Sequence, residues 1–126
     1  MNESRVRRSI EAYVAAWNER DPEARARLLE EACADGFRLV TPGRCIHGRD
    51  GLGALIADFQ ARRPGERARL ASVVEVHAHS FRYVGVVERP DGTMPENLDT
   101  GEHNDEGRLV LVLTFTGAAI ATHVSS

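Results

Sequence analysis

Apolar residues recur with a helical period along the first third of the chain. Val6, Ile10, Tyr13, Val14 and Trp17 stand at offsets 0, +4, +7, +8 and +11, which is one face of a helix. Asp21 can offer its side-chain oxygen to the first N–H groups of a second helix, and Pro22 gives up no needed donor there. Ala24, Leu28 and Ala32 form that helix's expected inner stripe, and Asp35-Gly36 its expected stop. Phe37 to Thr41 alternates as a short strand ended by Pro42-Gly43, and Arg44-Cys45-Ile46 reads as another. Asp50 is placed to cap a third helix, in which Leu52, Leu55, Ile56 and Phe59 fall at i, i+3, i+4 and i+7. Pro64-Gly65 ends it.

The period then drops to two. Arg67 to Ala78 and Phe81 to Glu88 are Val-rich and alternate as strands. Pro90-Asp91-Gly92 is a turn, because Pro presets φ and Gly permits a positive one. A less regular strand is expected over Asn97 to His103, with Pro95 marking an edge or bulge at its start. Asn104 to Gly107 forms the next turn, and Arg108 to Thr116 the last strand. Helices first and antiparallel strands afterwards predict an α+β fold, with helices on one face of a curved, mostly antiparallel sheet.

Composition narrows the class. A chain of 126 residues, 42% hydrophobic and 28% charged, suits a single domain with one core. A net charge of −3 leaves no nucleic-acid footprint; Arg5 to Arg8 and Arg62-Arg63 sit on predicted helices beside acids and read as solvated faces. The longest apolar run, in Leu109 to Phe115, is too short for a membrane span, and the charged N-terminus does not read as a secretory signal. Cys33 and Cys45 make neither a CxxC motif nor a disulfide framework, so a reduced, cytoplasmic protein is expected. The stretch 118–126 has no assignable pattern.

Glu75, His77 and His79 would share one face of a regular strand, which is a metal-ligand pattern of low specificity. The same stretch alternates polar and apolar as a solvent-facing edge does, and no third histidine is near, so no metal is expected. No G-x-S-x-G turn accompanies the cysteines, and the glycines of 48–53 open a helix outside any βαβ context. No cofactor is expected.

Four segments together carry a resemblance: Tyr13-Val14-Ala15-Ala16-Trp17-Asn18, Val40-Thr41-Pro42, Gly48-Arg49-Asp50-Gly51, and Asp99 followed by Asp105-Glu106-Gly107-Arg108-Leu109. In this order and spacing the chain resembles the NTF2-like superfamily, in its SnoaL-like polyketide cyclase and ketosteroid isomerase branch. The resemblance implies a helix-lined cone around a small hydrophobic or aromatic ligand, and a homodimer formed through the open sheet face, for which Val110 and Val112 offer apolar surface. It also implies an oxyanion hole built from a helix-1 Tyr and a protonated late-strand Asp, which fall on Tyr13 and Asp99. The family's separate general-base Asp falls on Thr41, whose hydroxyl cannot hold an abstracted proton near neutral pH. His103, four residues after Asp99 on the same strand face, is the expected replacement base; His47 is a weaker one. Trp17, Phe37, Thr41 and Phe59 are the expected ligand-binding residues. The enzymatic reading is an isomerase, cyclase or dehydratase. Its alternative is a non-catalytic ligand-binding or dimerisation module of the same fold, and a cupin-like metal barrel stands outside both.

Overall fold

The computed structural model describes residues 3–116; the tail assigned above to 118–126 lies outside them. Three helices, α1 Glu3–Asn18, α2 Pro22–Ala32 and α3 Gly48–Arg62, pack against one curved sheet. Its strands are β1 Cys33–Thr41, β2 Arg44–His47, β3 Arg67–Leu70, β4 Glu75–His77, β5 Ser80–Glu88, β6 Glu96–His103 and β7 Leu109–Thr116. The order is β2-β1-β7-β6-β5-β3, with β4 also paired to β5. Among the described strands only β1 and β7 run parallel; every other pair is antiparallel. The core lies between helices and sheet, where Val6, Ile10, Phe37, Leu39, Leu52, Ile56, Leu109 and Val112 are fully buried. Among the described residues no helix is long and apolar enough to cross a membrane.

The cap at Asp21 forms as expected, with the Ala24 N–H donating to Asp21 Oδ2 at 3.0 Å. Three local expectations fail for identifiable reasons. The buried stripe of α2 is Arg25, Leu29 and Ala32, one residue round from Ala24 and Leu28. Arg25 earns its place by donating to the carbonyls of Glu19 and Arg20 and to Gln60 Oε1, so a cation stands where apolar periodicity expected none. Asp35-Gly36 does not stop α2, which already ends at Ala32; it lies within β1, where six residues (Cys33 to Arg38) run opposite three of β7 (Leu109 to Leu111). Arg49 of α3 holds this bulge through the Cys33 carbonyl (2.8 Å) and the Asp35 carboxylate. Asp50 sits in the first turn of α3, and the cap position belongs to His47.

The strand expected over Arg67 to Ala78 is broken into β3 and β4. Ser72 interrupts it, because its hydroxyl oxygen accepts the Val84 N–H at 2.8 Å in place of a backbone carbonyl. Val112 is core rather than surface, and the exposed apolar side chains of the sheet's outer face are Leu98 and Phe115, which are cross-strand neighbours.

Helix α1 is fastened at both ends. Ser9 Oγ donates to the Gly107 carbonyl at 2.7 Å, and Gly107 (φ +79) lies so close that a Cβ there would come within 2.7 Å of Arg5 Cβ. Asn18 mimics a strand: its carboxamide donates to the Ala68 carbonyl and accepts the Ala68 N–H, each at 2.8 Å. That pair holds edge strand β3 against the end of the helix.

Candidate functional site

Between α1, α3 and the concave face of the sheet lies a cavity of about 260 Å³. Tyr13, Val14 and Trp17 face it from α1, and Phe59 from α3; Leu39 and Thr41 of β1, Tyr83 of β5, Asn97 and Asp99 of β6 and Thr114 of β7 complete the part used below. The helical wall is fixed by Gln60, whose Nε2 donates to the carbonyls of Trp17 (3.0 Å) and Glu19 (2.9 Å). Trp17 and Phe59 meet edge to face at 5.4 Å, as aromatic quadrupoles prefer.

Sheet register assembles the polar end. Tyr83 is directly opposite Asp99 across β5 and β6, and Thr114 is directly opposite Asp99 across β6 and β7. The Tyr83 hydroxyl donates to Asp99 Oδ2 at 2.6 Å, and Asn97 Nδ2 donates to Oδ1 at 2.9 Å. Thr114 supplies a third side-chain hydrogen bond. Gly85 makes this arrangement possible: a Cβ there would stand 3.2 Å from both carboxamide heavy atoms of Asn97, its partner across the strands. Burial of Asp99 (4% exposed) raises its carboxyl above the usual 3.8, and the bonds from Tyr83, Thr114 and Asn97 pull the other way.

The two phenols use their protons differently. Burial, reinforced by the charge of Asp99, holds both Tyr13 and Tyr83 well above 10, so each keeps its proton. Tyr83 gives that proton to Asp99. Tyr13 is hydrogen-bonded to Trp17, one helical turn on, and an indole N–H can only donate. The Tyr13 oxygen therefore accepts, and among the described residues no acceptor takes up its own O–H, at the wall of the cavity. A carboxylate has about four lone-pair directions, and three donors leave Asp99 one of them. Asp99 thus accepts these bonds, while burial raises its pKa in the direction that the resemblance implied for the late-strand Asp.

Of the residues expected from sequence, Tyr13, Trp17, Thr41, Phe59 and Asp99 come together around the cavity. Phe37 does not line it; it is fully buried beneath Tyr13, ring centroids 6.1 Å apart. His103 is also elsewhere. It is the last residue of β6, about 13 Å along the strand from Asp99, where its ring nitrogens meet the carbonyls of Asn104 (2.8 Å) and Ala78 (3.0 Å). His47 is exposed, with its Nε2 3.6 Å from Cys45 Sγ.

His77 and His79 do not share a strand face, because β4 ends at His77 and Ala78 adopts a left-handed φ of 53°. His77 meets Glu75 at 3.4 Å, while His79 meets Asp105 at 2.9 Å and packs beside the His103 ring. Among the described residues no group of three or more His, Cys, Asp or Glu side chains could hold a metal ion. Cys33 is buried and its thiol is pushed up to about 12, chiefly by burial. Sequence reading missed Tyr83, Asn97 and Thr114 as site residues. Asn97 could have been found from i, i+2 spacing to Asp99; the other two need the cross-strand register.

No family model matches the chain, and no curated protein matches it. Solved structures do. A presumed isomerase of the SnoaL-like family from Agrobacterium tumefaciens strain C58 is 31% identical, with a TM-score of 0.82 over 91% of this chain and 99% of that one. An NTF2-like protein of unknown function from Mesorhizobium loti superposes with a TM-score of 0.70 at 18% identity, over 94% of this chain and 95% of that one. A presumed SnoaL-like polyketide cyclase from Jannaschia sp. CCS1 gives 0.64 at 15% identity, over 86% and 85%. The last two share the fold alone. The first, with its identity spread over nearly the whole of both chains, places the protein: it belongs to the SnoaL-like family of the NTF2-like superfamily.

Proposed function

We propose that the protein is a proton-transfer enzyme acting on a small carbonyl compound, with Asp99 as general base and Tyr13 as the donor to the developing oxyanion. The observation that supports this most is the division of labour between the two phenols. Tyr83 spends its proton holding the base, while Tyr13 keeps its proton for the substrate.

In this reading the Asp99 carboxylate takes a proton from the carbon next to the substrate carbonyl. The C–H electron pair becomes the enolate π bond, and the carbonyl oxygen gains charge that the Tyr13 O–H stabilises by hydrogen bonding. The proton on Asp99 then returns to a different carbon, completing an isomerisation; in a cyclisation the enolate carbon attacks a second carbonyl, whose π pair moves to its oxygen and takes up that proton. A base is most effective when its pKa approaches the working pH, and burial moves Asp99 in that direction. Thr41, at the position where the family's base is expected, contributes a hydroxyl to the wall and no proton acceptor of that kind.

The test is hydrogen–deuterium exchange at the α-carbon of 2-tetralone in D2O, followed by NMR for wild type, Asp99→Asn and Tyr13→Phe. Exchange above background in wild type, lost in Asp99→Asn and slowed in Tyr13→Phe, supports the assignment. Exchange that survives Asp99→Asn places the base elsewhere. If ligands bind and no ketone exchanges, the cavity belongs to a non-catalytic binding protein.

A further inference from the structure

The cavity's size and charge select the substrate more narrowly than its apolar lining suggests. Its volume of about 260 Å³ lies below the roughly 300–1,000 Å³ of pockets that hold drug-sized ligands. A cavity below that range suits a ligand of one or two rings better than a four-ring skeleton.

Charge restricts the choice further. Among the described residues lining the cavity, the one cation is Arg69, and it is already engaged. Its Nε stands 3.4 Å from Glu88 Oε2 and its Nη2 3.9 Å from Met94 Sδ. Strand β3 also alternates: Ala68, held by Asn18, and Leu70 are half-buried, while Arg69 between them is exposed. The guanidinium therefore stands at the exposed edge of the cavity, and among the described lining residues no cation lies inside it to receive a substrate carboxylate or phosphate. An anion entering there would be desolvated with no cation to pair with it. The remaining polar groups, the hydroxyls of Thr41, Thr114 and Thr116 and the Asn97 carboxamide, suit neutral oxygen functions.

We propose that the substrate is an uncharged carbonyl compound of one or two rings, and that the site discriminates against carboxylate- or phosphate-bearing molecules and against four-ring skeletons. The carbonyl rests on the proton-transfer reading given above; the size and charge selection rests on the cavity alone.

Three phenols that mimic an enol separate these elements: 2-naphthol, 6-hydroxy-2-naphthoate and estradiol, titrated into the full chain by calorimetry at fixed ionic strength. The expected order is measurable binding of 2-naphthol, binding of the naphthoate weaker by about 30-fold or more, and none of estradiol. Estradiol binding as tightly as 2-naphthol overturns the size limit, and naphthoate binding as tightly overturns the charge limit. Failure of all three to bind overturns the proposal as a whole. Exchange at 2-tetralone is read separately, so the expected binding order without exchange sinks the proton-transfer reading while the selection by size and charge stands.

Discussion

Replacing Tyr83 by Phe removes a single oxygen from the interior and leaves the ring stacked on Phe81, centroids 6.2 Å apart and planes 12° from parallel. What is lost is the 2.6 Å hydrogen bond to Asp99 Oδ2. A hydrogen bond to a charged acceptor contributes about 1.5–3 kcal/mol, against about 1 kcal/mol for a neutral one, so the cost depends on whether Asp99 is ionised. Burial holds the Asp99 carboxyl above 3.8 in the folded protein. Its contribution to stability is therefore complete below that value and is lost as pH rises through the folded-state pKa. The Tyr83 bond is the largest influence pulling that pKa down. Without it the folded-state pKa moves further up, and the ionised form costs more. Wild type and Tyr83→Phe should differ by about 1 kcal/mol near pH 4 and diverge to about 1.5–3 kcal/mol at neutral pH. For a domain of this size the neutral-pH difference corresponds to a fall in Tm of roughly 5–15 °C. Urea melts at a series of pH values measure it. A difference that stays flat with pH, or a variant as stable as wild type at neutral pH, would refute the claim that Tyr83 holds an ionised Asp99.

Tyr13→Phe removes a hydroxyl whose proton has no acceptor among the described residues, so it should lower exchange at the substrate's α-carbon by about 10²–10³-fold. Gly85→Ala should crowd Asn97 off Asp99 and shift the acid limb of the pH–rate profile to higher pH, because a bond that lowers the Asp99 pKa is weakened; a superimposable profile would exclude this. Gly107→Ala combines a left-handed φ with a 2.7 Å approach to Arg5 Cβ, and should cost about 1–3 kcal/mol in a denaturant melt, more than an alanine placed at Gly92, where nothing lies within 4 Å. A chromogenic disulfide should label the exposed Cys45 rapidly in the native protein and the buried Cys33 only on unfolding.

Much of the architecture was legible because it is written locally. The 3.6-residue recurrence of Val6, Ile10, Tyr13 and Trp17 and the Asp21-Pro22 start describe α1 and α2 before any tertiary contact is known. Tyr13 and Asp99 were legible from their neighbours in sequence. The surroundings of Asp99 were not, since three donors come to it from β5, β6 and β7, and only the register shows that Tyr83 and Thr114 flank it. His103 misled for a related reason. Burial alternates through Asp99, Gly101 and His103, so the face is shared, but four residues of strand put His103 about 13 Å away, against the carbonyls of Ala78 and Asn104. The bulge in β1 was hidden because Asp35-Gly36 has the composition of a helix stop, and its actual holder, Arg49, lies 14 residues beyond Asp35.

The parallel pairing of β1 with β7 has a consequence for how the chain is made. β7 lies at the centre of the sheet, between β1 and β6, yet it is the last of the seven strands to be synthesised. Until Leu109 to Thr116 has left the ribosome, β1 and β6 each present an unpaired edge, and Ser9 on α1 waits for a carbonyl 98 residues away. Contacts this distant in sequence make folding slow, and the exposed strand edges of the incomplete chain invite association with other chains. A nascent chain stalled before Leu109 should therefore be protease-sensitive throughout, and one stalled with Thr116 outside the tunnel should acquire protection in a single step.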